Sequence, residues 1–208
     1  TCHDPHSSAE SPLLVSDSGT LCLECHTKVR MQMASAFPHA VVARGECLEC
    51  HDPHQTATAS LLTADSGELC IGCHNTLVEL PEGGSVHPPA AEGECRDCHN
   101  SHGGEIKGML TEEASALCVT CHEMDEAGSP GWQSHKPVAD GDCTACHNPH
   151  NSGQKNLLVA PAELLCVTCH KDITASAEAK SIHSPSEGDC LDCHKPHGGK
   201  GKAFLTVS

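Results

Sequence analysis

The chain has 208 residues, with 28 acidic against 12 basic, and a formal net charge of −16. Leu, Ile, Val and Phe total 35 and the aromatics are two Phe and one Trp, a composition normally found in disordered chains for want of apolar surface to bury. The acidic balance excludes a nucleic-acid face, and no apolar run approaches the ~18 residues of a membrane span. Against this poverty stand 17 Cys and 18 His, which point to a cofactor or metal as the source of the missing interior.

In chain order, residues 1–21 read as the end of a preceding repeat. Cys2 and His3 look like the tail of a Cys-x-x-Cys-His motif whose first Cys precedes residue 1, with a single-thioether site as the alternative. His6 follows across Pro5. Residues 22–69 form repeat 1, with Cys22, Cys25 and His26, then His39, then Cys47, Cys50 and His51, then His54. Residues 70–117 form repeat 2, with Cys70, Cys73 and His74, then His87, then Cys95, Cys98 and His99, then His102. Residues 118–165 form repeat 3, with Cys118, Cys121 and His122, then His135, then Cys143, Cys146 and His147, then His150. Residues 166–208 form a truncated repeat 4, with Cys166, Cys169 and His170, then His183, then Cys190, Cys193 and His194, then His197. The period is 48 residues, with a last step of 47. The expectation is a segment of a longer array, forming one continuous elongated domain.

Local signals repeat with the same period. Odd motifs follow acidic or Pro-led lead-ins such as Thr111-Glu112-Glu113 and Pro161-Ala162-Glu163, which start helices. Even motifs follow Gly and an acid (Gly45-Glu46, Gly93-Glu94, Gly141-Asp142, Gly188-Asp189), which read as turns. The expected fold is mostly irregular, with short α-helices at the attachment sites and negligible β structure.

Composition alone predicts about 0.1 Cys-x-x-Cys-His motifs, and the chain has eight. Two thiols three residues apart on one helical turn reach the two vinyl groups on one edge of a haem, and the adjacent imidazole lies under the iron. A disulfide scaffold leaves the His after every pair unexplained. Structural zinc needs sets of four ligands, and thioredoxin-like motifs belong to βαβ chains. The cofactor expected is therefore haem c with its iron, at eight complete sites plus a ninth at Cys2/His3. The proximal ligands are His3, His26, His51, His74, His99, His122, His147, His170 and His194.

The nine other histidines share the period. His39, His87, His135 and His183 step by 48, and His6, His54, His102, His150 and His197 step by 48, 48, 48 and 47. Equal numbers in phase point to distal ligands and bis-histidine iron. Met31, Met33, Met109 and Met124 fall out of phase and read as packing. In Cys143-x-x-Cys-His147-Asn-Pro-His150 the two His lie three residues apart, a link spanning at most roughly 10 Å. They cannot bind opposite faces of one haem, so their irons are different and adjacent. Pro5, Pro53, Pro149 and Pro196 stiffen these links, whereas His99-Asn-Ser-His102 lacks the Pro. Which distal His serves which iron stays open at this level.

Cys-x-x-Cys-His-x-Pro-His alternating with Leu-Cys-x-x-Cys-His resembles the doubled-CxxCH family of multihaem c-type cytochromes. The resemblance implies export, haem attachment outside the cytoplasmic membrane in the periplasm or beyond the cell, and electron transfer. Partners would be redox proteins or extracellular acceptors, and self-association into a longer array or filament is in keeping with the wider multihaem class. Three functions follow: an electron conduit or wire, a soluble periplasmic carrier, and a multihaem reductase or oxidase. The conduit is favoured. No Cys-x-x-Cys-Lys motif occurs, and only Arg30, Arg44 and Arg96 are available as arginines to bind an oxyanion, so no enzyme is expected.

Overall fold

The computed structural model describes residues 2–124, 129–173 and 190–206. His183 and the Gly188-Asp189 turn lie outside them. The chain is mostly irregular and punctuated by short helices, as its composition indicates. In order these are α1 (Ser18–Cys25), α2 (Thr27–Met33), α3 (Ala40–Ala43), α4 (Ser66–His74), α5 (Pro88–Ala91), α6 (Cys95–Cys98), α7 (Ala114–Val119), α8 (Lys136–Ala139), α9 (Ala162–Cys169) and α10 (Cys190–Cys193). The strands are β1 (Phe37–Pro38), β2 (Ser85–Val86), β3 (Gly103–Gly104), β4 (Trp132–Ser134), β5 (Asn151–Ser152) and β6 (Gly198–Lys200). Among the described residues no helix is long and apolar enough to cross a membrane.

The odd and even motifs are built differently. Helices α1 and α4 begin where the Asp17 and Asp65 carboxylates accept the N–H groups of Thr20 and Gly67, satisfying donors that a helix start leaves open. They then run through Cys22–Cys25 and Cys70–Cys73. Helix α9 starts behind Pro161 and carries Cys166 and Cys169. At Cys47, Cys95 and Cys143 no side chain caps the start. Cys47–Glu49 and Cys143–Ala145 form single 3₁₀ turns, and α6 is only four residues long. The expectation of an α-helix at every attachment site is thus corrected at Cys47 and Cys143. Gly45, Gly93 and Gly141, at φ of 73°, 77° and 76°, turn the chain sharply just before these motifs, and with no capping side chain only a single short turn forms at each.

The chain divides into two compact units, residues 1–75 with 92–113, and residues 76–91 with 114–208. In the first, β1 pairs antiparallel with β3, Phe37 opposite Gly104 and Pro38 opposite Gly103. Also in this unit the backbone of Gly67 in α4 packs directly on Gly93, where an added Cβ would come within 2.9 Å of the Gly93 Cα and carbonyl oxygen. In the second, β2 pairs with β5 and β4 with β6, both antiparallel.

No hydrophobic side chain is buried among the described residues. Met31, read from sequence as packing, stands 73% exposed on α2, because the polypeptide offers no apolar interior for it to enter.

The glycine contact supplies a test of packing. Gly67→Val is expected to destabilise the protein by about 1–3 kcal/mol, since backbone must move to admit the side chain. Gly72→Ala, in the same helix with nothing within 4 Å of its Cβ, is expected to raise stability by about 0.5–1 kcal/mol. Denaturant unfolding of the two variants measures both signs.

Candidate metal centres

After each even motif the chain makes the same loop. The Nδ1–H of His51 donates to the Ser60 carbonyl at 2.9 Å, and His3, His99, His147 and His194 donate to Pro12 (2.9 Å), Gly108 (2.7 Å), Asn156 (2.9 Å) and Ala203 (2.6 Å). A carbonyl only accepts, so the ring proton sits on Nδ1 and Nε2 presents its lone pair outward. Backbone bonds close the loop on either side, for example Asp52 N–H to the Leu61 carbonyl at 2.9 Å and Thr63 N–H to the Cys50 carbonyl at 3.0 Å.

At His51, His99, His147 and His194 the carbonyl that meets the ring belongs to a left-handed turn, and at His3 the acceptor Pro12 directly precedes one at Leu13. Ser60 and Leu61 have φ of 59° and 56°, Asn156 and Leu157 have 56° and 57°, and Ala203 and Phe204 have 61° and 53°. Each non-glycine residue in this region costs about 1–2 kcal/mol. That cost recurs at one place in every repeat, which marks it as part of the site. Sequence reasoning missed these residues. The signal available was the apolar pair recurring ten residues after each even His (Leu13-Leu14, Leu61-Leu62, Met109-Leu110, Leu157-Leu158, Phe204-Leu205), but residues of this type do not announce a positive φ.

The histidines come together in pairs. His3 faces His54 with ring centroids 6.0 Å apart and planes 20° apart, and His51 faces His102 at 6.1 Å and 19°. His39 faces His74 at 6.1 Å and 41°. In the second unit His87 faces His122 at 5.8 Å and 23°, His135 faces His170 at 5.8 Å and 21°, and His147 faces His197 at 6.0 Å and 40°. Each pair joins one motif His to one of the nine in-phase His. His51 and His54, three residues apart, therefore look in different directions to different partners. His6, His26 and His194 face no second ring among the described residues. The His150 carbonyl accepts the His87 N–H at 2.7 Å.

The spacing fits a metal held between two imidazoles. A first-row metal sits about 2.0–2.1 Å from an imidazole nitrogen, and the ring centre lies about 1.1 Å behind it, so opposed rings on one metal have centroids about 6.2 Å apart. Six pairs at 5.8–6.1 Å match. Of the paired rings, His135 also meets an aromatic side chain, Phe204, edge-on at 6.0 Å. Partial burial pushes His39, His102 and His197 below the usual imidazole range, and the facing imidazoles of His74, His51 and His147 add to it. Both effects favour the neutral imidazole, the form that binds metal.

None of the 17 cysteines is joined to another in a disulfide. The Cys22, Cys70 and Cys166 thiols are hydrogen-bonded to Cys47, Cys95 and Cys190, so the attachment edges of consecutive motifs are brought side by side. Burial, with the neighbouring thiol second, raises the Cys70 thiol to about 11. Cys50 and Cys146 are raised by burial and then by Cys73 and Cys169. Consecutive motifs thus adjoin at their second cysteines as well as their first.

The strand ladders fix one histidine against another. The His39 N–H donates to the His102 carbonyl at 3.1 Å, and the His135 N–H to the His197 carbonyl at 3.0 Å. The two His so clamped belong to different pairs. Gly103 and Gly198 make the approach possible at φ of 144° and 147°, because a Cβ on Gly103 would lie 2.5 Å from the Gln32 carbonyl oxygen. Where the link lacks Pro, Asn100 accepts a hydrogen bond from Gln32 at 3.1 Å and ties His99-Asn-Ser-His102 to α2.

The model of the doubled CXXCH motif family matches residues 1–31, 39–79, 87–127, 135–175 and 183–208. No curated protein matches the chain. The family blocks begin at His39, His87, His135 and His183. The pairs His39/His74, His87/His122 and His135/His170 therefore each lie inside one block. His3/His54, His51/His102 and His147/His197 each join one block to the next. Cysteine pairs, following histidines and block-to-block pairing agree: the chain belongs to the doubled CXXCH motif family and is a multihaem c-type cytochrome that binds haem c covalently.

Proposed function

We propose that the chain is an electron conduit working by hopping between bis-histidine haems held in close succession. The observation that carries the reading is the set of six opposed imidazole pairs at metal-bridging distance. Haem iron in such a pair exchanges one electron between Fe(II) and Fe(III) with its ligands in place.

The chain's own residues provide the continuity. His51 and His54 serve different sites through a three-residue link stiffened by Pro53. His39 and His102, and His135 and His197, serve different sites through a direct backbone hydrogen bond. Cys50 and Cys73 join the same neighbours from the attachment side. An iron held in any of these six pairs would take an imidazole of the protein on each side and would offer no open coordination position, which favours a carrier over a reductase or oxidase. Arg44 is already bidentate to Glu46, at 2.8 and 2.6 Å, and is not free to hold an oxyanion.

The conduit reading places the protein outside the cytoplasm, in the periplasm or beyond the cell, with redox proteins or extracellular acceptors as partners. The block-to-block pairs support extension into a longer array or filament, since each added block completes a site begun in the one before. Ferric spectra of the purified holoprotein are expected to be low-spin with no rapid cyanide binding at these sites, and electron microscopy at rising concentration is expected to show fibres. High-spin ferric bands at most sites would overturn the reading, and discrete particles at every concentration would restrict it to a soluble carrier.

A further inference from the structure

The six paired sites are not equivalent in what touches their imidazoles. Four carry a ring whose Nδ1–H donates to a backbone carbonyl. In His3/His54, His51/His102 and His147/His197 it is the motif His, bonded to Pro12, Ser60 and Asn156. In His135/His170 it is His135, bonded to the Pro196 carbonyl at 2.9 Å. In His39/His74 and His87/His122 neither ring meets such an acceptor among the described residues, and each compact unit contains one of these two sites.

We propose that the backbone carbonyls fixed on Nδ1–H, presented by the loops after the even motifs and by Pro196, are potential-setting devices, and that His39/His74 and His87/His122 are the high-potential sites where electrons rest. The inference builds on the bis-histidine reading above. A carbonyl fixed on Nδ1–H draws the proton away from the ring, makes the imidazole more basic, and favours the more positive iron. Water does this less well at the exposed rings, because its dipole reorients while the turn's carbonyl is locked. At His3/His54 the Asp52 carboxylate, 3.8 Å from His54 Nδ1, acts in the same direction. Each transfer moves one electron from an Fe(II) site to an Fe(III) site. No bond is made or broken, and the Nδ1 proton stays on its ring.

Ser60, Asn156 and their equivalents are thus positioning residues acting through the proximal imidazole. Asn156 offers the cleanest test, since its φ of 56° suits Gly and strongly disfavours a β-branched side chain. In spectroelectrochemical titration of the holoprotein, Asn156→Val is expected to raise the potential of one one-electron component by about 59 mV, so that its Fe(III)/Fe(II) ratio at fixed potential falls about tenfold. Asn156→Gly is expected to leave every component in place. Equal movement in both variants, or in neither, would overturn the proposal. Should Asn156→Val fail to retain its haems, electron paramagnetic resonance of the unaltered protein during reduction decides. Low-spin signals with the strongest imidazolate character are expected to disappear last, and any other order overturns the proposal. Loss of low-spin character throughout would instead count against the bis-histidine reading itself.

Discussion

Produced without haem attachment, the polypeptide is expected to lose its fold rather than to persist as an empty scaffold. No hydrophobic side chain is buried among the described residues, and the longest helix, α4, has nine residues. Isolated helices below about 12–15 residues are marginal in water. Self-repulsion at a net charge of −16 adds to the imbalance. Sites assembled from His and Cys far apart in sequence thus join ligand binding to folding. Far-UV circular dichroism of a form with each attachment Cys changed to Ala, which keeps length and charge, is expected to show a disordered chain with no cooperative thermal transition. A sharp transition in that form would show that the polypeptide has an interior of its own.

The second large effect is expected at His102. Its ring faces His51, and its backbone carbonyl holds His39 in place. His102→Ala removes the ring and leaves the carbonyl, so one iron is expected to become high-spin and to bind cyanide rapidly, while the His39/His74 site keeps its low-spin spectrum. Gly103→Val does the opposite. It keeps every ring but drives a side chain into the Gln32 carbonyl and Pro38, pulling β1 from β3 and disturbing both sites together. Electron transfer along the chain is expected to slow in both variants. Counting the high-spin irons separates them, one in the first and more than one or a mixture in the second. If His102→Ala leaves all irons low-spin, the His51/His102 pair is not a metal site.

The two variants show where sequence reading stops. The eight Cys-x-x-Cys-His motifs, the 48-residue period and the equal number of in-phase histidines were all readable. So was the turn chemistry, since Gly45, Gly93 and Gly141 adopt the positive φ that a Gly-acid signal indicates. The pairing was not readable. His39 meets His74, 35 residues on, while His51 meets His102, 51 residues on, and both offsets are compatible with the same period. The left-handed turns at Ser60-Leu61 and Ala203-Phe204 were hidden too, because their side chains prefer other conformations and are held there by hydrogen bonds from a distant His and its neighbour.

Sequence by itself determined the cofactor chemistry, the repeat and the shortage of apolar mass, because covalent attachment is encoded in five consecutive residues. The tertiary structure decided which imidazole faces which, and which of them carry a carbonyl on Nδ1. Those contacts depend on strand ladders two or three residues long joining segments about 60 residues apart, such as Pro38 with Gly103. A long-range hydrogen bond of that kind is selected by closure of the whole chain, and leaves no mark on the residues at either end beyond a glycine.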